Sequence, residues 1–394
     1  MFPSGTNLEA SASDVVEDDP NDDEDFMVWK KNTPFLYDFV ISHALVWPSL
    51  TVQFLPNNPT SSPSSVSSII LGTHTSDNNL NHLMLANVQT SSDPTLNPCV
   101  QITQMIPHQG EVNRARYMPQ KPTVIATKTC GTDVHLFDCG SEEIRKEGSG
   151  PDAILKGLGQ EGYGLSWSEM KEGILLSGSY DGKICLWDLG GDIIKDGILN
   201  AKDVFEAHGK AVEDVSWHSK NENLFSSVGD DYKLMIWDLR ILKSKKPIHS
   251  IVAHEKEVNS VSFNPFSDWI LATASADNTI NLFDMRVLNT VMHTFTSHTD
   301  EVVQVDWSPN HETILASCAD DKRLMIWDLD RIGDEQATED AEDGPPELLF
   351  VHGGHMAKIS EFSWDCTRPW VIASVAEDNI LQVWKMEESI FNDD

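Results

Sequence analysis

The sequence predicts an all-β ring: a seven-bladed β-propeller with an N-terminal α-helix packed on its side. Two observations predict it. A strand-ending aromatic and its follower recur as Phe137-Asp138, Trp187-Asp188, Trp237-Asp238, Phe283-Asp284, Trp327-Asp328 and Trp384-Lys385. Their spacings of 50, 50, 46, 44 and 57 residues lie near the period of four-stranded propeller blades. Around these aromatics, polar residues keep fixed offsets. An Asp precedes five of them by six residues (Asp181, Asp231, Asp277, Asp321, Asp378), and a hydroxyl precedes each Asp by four (Ser177, Ser227, Thr273, Ser317, Ser374). His108, His208, His254, His298 and His355 open their blades.

Such offsets predict a hydrogen-bonded relay in which the turn Asp accepts from the His, and the His and hydroxyl link onward to the indole N–H. Buried polar groups persist only when paired, so the relay sets each blade's register. Blades ending in Phe lack the indole donor and truncate it. A degenerate seventh copy, Leu83-Met84-Leu85-Ala86-Asn87, lies upstream, with Ala86 placed 51 residues before Phe137. The strand Leu50–Leu55 precedes the first complete copy and is expected to be the outer strand of the last blade, closing the ring and removing free edges.

Ahead of the ring, residues 1–25 are polar and acidic, ending in DDPNDDED, and read as disordered. Residues 26–45 carry Phe26, Trp29, Phe35, Leu36, Phe39 and Val40 at helical separations, so a helix is expected there, with Thr33 as a cap and Pro34 as a first-turn residue or kink. The propeller then occupies 46–390. Its outstanding insertion, 330–349 (DRIGDEQATEDAEDGPPELL), is acidic and carries Pro345-Pro346, which reads as an exposed, semi-rigid loop ending in an apolar edge.

Composition narrows the function. Lys and Arg number 28 against 62 Asp and Glu, a net charge of −34, which excludes direct nucleic-acid or anionic-membrane binding and favours basic partners. The six cysteines lack CxxC or zinc-type spacing and read as reduced blade residues. Gly157 to Gly162 matches GxGxxG, but a blade strand rather than a helix follows, so the dinucleotide reading fails. No nucleophile, base and orienting partner can be assembled, so no catalytic, cofactor or metal site is expected. Counting three residues from each opening His, or from Leu158 in its place, gives Glu111, Glu161, Ala211, Glu257, Glu301 and Lys358. Counting five gives Asn113, Tyr163, Glu213, Asn259, Val303 and Ser360. The positions before the turn Asp add Asp230, Asp320 and Glu377. These should gather around one mouth of the ring, where clustered carboxylates favour Lys and Arg.

With WKKNTPFLYDFV, HALVWPSLT, GTHTSD, GEVNRARYMPQ, EGYGLSW, VEDVSWH, KLMIWD, EDAEDGPPELLF, HGGH and EDNILQVW, the chain resembles the histone-binding WD-repeat proteins of the retinoblastoma-binding/MSI family, over nearly its whole length after residue 26. The resemblance implies a WD40 propeller serving as a non-catalytic, monomeric subunit shared among hetero-oligomers: chromatin assembly factor, histone acetyltransferase, histone deacetylase, remodelling and Polycomb-type complexes. It implies nuclear localisation, with some protein in the cytoplasm. It also implies a side groove for the first helix of histone H4, lined by Phe35, Leu36, Leu349, Phe350 and Val351, with Asp340 and Asp343 meeting basic side chains. The mouth would take the histone H3 tail on His74, Glu111, Asn113, Glu161, Tyr163, Glu213, Asp230, Asn259, Lys358 and Glu377. The chain departs from the family at Val46, where many relatives carry Glu, at Val303, where an aromatic is common, and at Leu158, which replaces an opening His. The alternative of another class is a WD40 substrate adaptor of a ubiquitin ligase, for which the sequence offers no ligase-binding box.

Overall fold

The structure is a computed structural model that describes residues 24–56, 66–75, 79–90, 98–140, 150–190, 197–337, 341 and 343–392. The acidic stretch before Glu24 lies outside them. Among the described residues seven sheets form, one per blade, with strands paired in sequence order except that the N-terminal strand joins the last blade and Ile198–Asn200 adds a parallel fifth strand to the sheet of blade 2. Blade 1 comprises Val52–Leu55, Val66–Gly72, Asn81–Gln89 and Cys99–His108. Blade 2 comprises Val112–Met118, Lys121–Thr129, Val134–Asp138 and Ala153–Lys156. Blade 3 is Leu165–Trp167, Ile174–Gly178, Lys183–Asp188 and Asp203–Glu206. Blade 4 is Val212–Trp217, Leu224–Gly229, Lys233–Asp238 and His249–Val252. Blade 5 is Val258–Phe263, Ile270–Ser275, Ile280–Asp284 and Val291–Phe295. Blade 6 is Val302–Trp307, Ile314–Ala319, Leu324–Asp328 and Leu348–His352. Blade 7 combines Ile359–Trp364, Val371–Ala376 and Ile380–Met386 with Tyr37–Ala44 from the other end of the chain. First strands contact the first strands of their neighbours all the way round, which places them at the axis.

Several expectations at the N-terminus need correction. The helix, α1, spans Glu24–Leu36 rather than 26–45, and Tyr37–Ala44 is a strand. Pro34 falls in the last turn of α1, where it lacks the N–H that continues a helix, and Thr33 is no cap, since its hydroxyl donates back to the Trp29 carbonyl at 3.0 Å. Beyond it, Tyr37–Ala44 pairs antiparallel with Ile380–Met386 and supplies the outer strand of blade 7. The segment expected in that role, Leu50–Leu55, instead provides the inner strand of blade 1, Val52–Leu55, paired with Ser68–Leu71. The propeller therefore starts at Tyr37, not at residue 46.

The relay forms as its spacing predicts, and in full in two blades. His208 Nδ1 donates to Asp231 at 2.9 Å, Ser227 Oγ donates to His208 Nε2 at 2.7 Å, and Trp237 Nε1 donates to Ser227 Oγ at 2.9 Å. His298, Asp321, Ser317 and Trp327 repeat it. With Phe283 in place of Trp, blade 5 stops at Thr273. Blade 7 also stops short: His355 reaches Ser374 at 2.8 Å, but the Trp384 indole N–H finds no partner among the described residues. Where Leu158 replaces the His, Trp187 donates to the Lys156 carbonyl and Ser177 to that of Gly164. Each turn Asp also accepts a backbone N–H from the residue after the His position (Gly209 onto Asp231 at 3.1 Å, Thr299 onto Asp321 at 3.0 Å), stapling two loops together.

Burial alone would raise the Asp231 carboxyl, but the hydrogen bond and charge of His208 outweigh it and hold the group below the ordinary carboxylate range. Asp231→Ala is therefore expected to cost about 1–3 kcal/mol, read as a lowered denaturant midpoint. A depressed folded pKa contributes stability above the unfolded value near 4 and loses it as pH falls through the folded value, so parent and variant should converge below about pH 4. Asp320→Ala, which removes a mouth carboxylate outside the relay, should cost less.

Candidate functional site: an acidic mouth and a side groove

The floor of the mouth is a charged hoop of first-strand side chains. Glu361 of blade 7 accepts from Thr51 Oγ1 and Val52 N of the chain entering blade 1, each at 2.7 Å. It pairs with Arg116 at 2.6 Å and Arg114 at 3.2 Å, both from blade 2. Arg114 reaches across to Asp214 of blade 4 at 2.9 Å, which also accepts Ser260 Oγ and Val261 N of blade 5. Ser262 of blade 5 donates to Asp306 of blade 6, and Gln304 of blade 6 bonds the Phe362 backbone of blade 7 in both directions. Burial would raise the Glu361 carboxyl, yet Arg116 and Arg114 hold it below its usual range. Asp306, buried and facing a weaker field, is pushed up to about 6.

Above this floor lies a depression of about 210 Å³ lined by Leu50, Arg114, Tyr163, Glu213, Asn259, Val303, Asp320, Lys358, Ile359, Ser360 and Glu377. Five of the ten expected mouth residues line it. Asp230 lies close enough for its charge to act on Glu213. Glu111 forms an ion pair with His74 at 3.1 Å, and Asn113 leans on the Gly162 carbonyl at 3.4 Å. Tyr163 gathers the rest: its phenol is raised first by burial, then by the charge of Glu161, Glu213 and Glu111 against that of Arg114, so all these carboxylates act on one spot. Lys358, the cation at the rim, is committed to Asp320. Glu213 is pushed up to about 8 by burial, then by the charge of Asp230; Asp230 is itself raised by burial and by Glu257.

On the side of the ring, α1 is moored by an aromatic chain. Trp29 Nε1 donates to Tyr37 Oη at 2.8 Å, and Tyr37 donates to His352 Nδ1 at 2.8 Å. Burial holds His352 well below its ordinary value, so the ring stays neutral and able to accept. Leu36, Leu349 and Phe350 share one apolar cluster with Tyr37 and Trp384. Phe35, 78% exposed, stands beside it on α1, whereas Phe350 is only 7% exposed and wedged between Tyr37 and Trp384. Val351 packs into the cluster between blades 5 and 6. Asp343 borders a hollow of about 490 Å³ with Arg331, Pro345, Pro346 and Leu348. Asp340 lies outside the described residues.

A family model for the histone-binding protein RBBP4, a component of the CAF1 complex, matches residues 24–92, which span α1, the ring-closing strand and three strands of blade 1. The WD domain, G-beta repeat, matches at 163–188, 200–238, 245–284 and 289–328, within blades 3 to 6. The chain belongs to the histone-binding WD-repeat proteins of the retinoblastoma-binding/MSI family. As a histone-binding WD40 protein it is a scaffold of a family with a chromatin-associated, nuclear role, whose members are typically non-catalytic. Among solved structures, the WD40 β-propeller domain of Doa1 is similar at 18% identity and a TM-score of 0.61, covering 91% of this chain and 99% of that one; the likeness is one of fold. Among the described residues no helix is long and apolar enough to cross a membrane, and no group of three His, Cys, Asp or Glu could hold a metal.

The residues missed from the sequence are Leu50, Ile359 and the hoop itself. A signal for the hoop was present. Counting six from each opening His, or from Leu158, gives Arg114, Gly164, Asp214, Ser260, Gln304 and Glu361, a polar series broken once, at the register that faces the axis.

Proposed function

We propose that this histone-binding protein is a non-catalytic platform with two recognition surfaces. The mouth takes a basic extended tail such as that of histone H3, and the groove beside α1 takes the first helix of histone H4. The observation that carries the mouth reading is a confined depression lined by Glu213 and Glu377, with Glu161 and Glu111 acting on its Tyr163, whose cations, Arg114 and Lys358, are already paired. A Lys or Arg entering it meets an excess of carboxylates over cations. The groove reading rests on Phe35, exposed beside the cluster of Leu36 and Leu349, with Asp343 on the adjoining loop. An amphipathic basic helix fits such a surface, apolar stripe inward and cations toward the acidic loop. The platform serves as a shared subunit of chromatin assembly, histone-modifying, remodelling and Polycomb-type complexes. No observation favours the ubiquitin-ligase adaptor.

Glu111→Gln with Glu377→Gln should weaken binding of an H3-tail peptide by roughly tenfold, since two exposed charge pairs at about 0.2–1 kcal/mol each amount to that order. Titration calorimetry at two salt concentrations should show the parent losing affinity with salt more steeply than the variant. Equal affinities would mean that the mouth is ordinary polar surface.

A further inference from the structure

We propose that the face of the ring opposite the mouth, where blades 4 and 5 meet, docks an acidic segment of a partner protein that carries large apolar side chains. This surface is separate from both histone surfaces proposed above and needs neither of them. The mouth is built where first strands begin, at Glu213, Asn259, Val303 and Ile359. The connections that leave the first and third strands therefore lie at the other end of the blades. In blades 4 and 5 these are residues 218–223, 239–248, 264–269 and 285–290. Together they hold six Lys and Arg against two acidic residues, in a chain with 28 against 62. Residues 239–248 alone hold four cations and no acid.

Apolar side chains stand among these charges, and hydrogen-bonded turns hold them there. Asn264 Oδ1 accepts from Phe266 N at 2.7 Å and from Ser267 N at 2.8 Å, and the Trp269 carbonyl accepts from Met285 N at 2.8 Å. The turns so fixed leave Phe266 39%, Trp269 46% and Val287 58% exposed. The Arg286 guanidinium lies over the Trp269 ring, 5.6 Å from its centroid. Across the blade seam, Lys220 Nζ reaches the Phe266 carbonyl and sits 3.7 Å from Asp268. Ile251 of blade 4 shares one apolar cluster with Met285 and Leu288 of blade 5, which brings residues 239–248 beside 285–290. Exposed Ile241 and Ile248 extend the apolar surface there. Arg240 and Arg286 are bound to the strand-end carboxylates of Asp238 and Asp284 yet stay mostly exposed. Lys245 and Lys246, also exposed, enter no ion pair among the described residues. A segment that sets carboxylates against these lysines and covers Trp269 and Phe266 gains charge pairing and buried apolar area together. A nucleic acid would use the lysines and leave Val287 and Ile241 uncovered, so the apolar residues favour a peptide.

The test pans a random phage-displayed peptide library against the full-length chain, then titrates the recovered peptides by fluorescence anisotropy. Peptides rich in Asp and Glu with Phe, Trp or Leu among them are expected in the recovery. Trp269→Ala should weaken such a peptide roughly tenfold or more, as loss of an interface aromatic does. Lys245→Glu with Lys246→Glu should weaken it about tenfold at low salt and less at high salt. That pair changes only exposed side chains, so its melt should match the parent's and its loss of binding is read free of folding. Glu111→Gln with Glu377→Gln at the mouth, and Phe35→Ala beside α1, should leave the acidic peptide's affinity unchanged. Recovery of no acidic peptide would overturn the proposal, as would acidic peptides that bind the Trp269 and lysine variants like the parent. A DNA duplex bound through the lysines and indifferent to Trp269→Ala, with the peptides indifferent to both, would assign the face to nucleic acid instead.

Discussion

Glu361→Ala should be the most damaging single substitution in the ring, at about 3–5 kcal/mol, because it leaves buried Arg114 with Asp214 alone and half-buried Arg116 without its carboxylate. Glu361 is 1% exposed and serves Arg114, Arg116, Thr51 Oγ1 and Val52 N at once. Its loss detaches blade 7 from the chain entering blade 1 and from both arginines of blade 2. Glu361→Gln keeps an oxygen for the Thr51 and Val52 donors but not the charge, and should cost less. The pH dependence follows from the depressed carboxyl. Its stabilisation is complete above the unfolded value near 4.5 and is lost as pH falls through the folded value, so the gap between parent and alanine variant should close in acid. Urea titrations at pH 7 and pH 3.5 would read both effects. A variant as stable as the parent at pH 7 would mean that the hoop does not hold the ring.

Phe350→Ala should unfold before it unbinds. With Phe350 wedged between Tyr37 and Trp384, truncation opens a cavity at the seam where the chain ends meet, costing about 3–5 kcal/mol. The melt should fall, and binding at both histone surfaces should suffer with it. Phe35→Ala removes a ring that is mostly in water, so it should leave the melt within about 0.5 kcal/mol of the parent while weakening a histone H4-helix peptide and sparing the tail peptide. Pull-downs of each variant with the two peptides, alongside circular dichroism melts, separate stability from recognition. A normal melt for Phe350→Ala would contradict the packing; unchanged H4-helix capture by Phe35→Ala would move the groove elsewhere on the ring.

The parts legible in the sequence were those repeated at fixed intervals. His208, Ser227, Asp231 and Trp237 recur with their partners because one hydrogen-bond geometry must be built in each blade, and that geometry leaves a countable period. The mouth was legible for the same reason: Tyr163, Glu213, Asn259, Val303 and Ser360 share one register and do line one depression. What escaped was unrepeated. Tyr37–Ala44 and Leu50–Leu55 both precede the first complete copy, both are apolar, and only pairing with Ile380–Met386 selects between them. In YDFVISHA the apolar residues suit a helix face about as well as a strand, and nothing nearby announces that a partner strand lies more than three hundred residues away. Phe350 was legible as apolar but not as inward-facing, since which side of an outer strand meets the next blade is settled by that blade.

Closing the ring with the first strand has a consequence in time. Tyr37–Ala44 leaves the ribosome more than three hundred residues ahead of its partner, Ile380–Met386. At about 5–20 residues per second the strand waits roughly 20–70 s with its hydrogen-bonding edge unmet. Through that interval the nascent chain is an open arc with an adhesive end, able to pair with another copy as readily as with itself. Expression yield should accordingly depend on translation speed and on chaperones that occupy extended segments more than the stability of the finished ring would suggest.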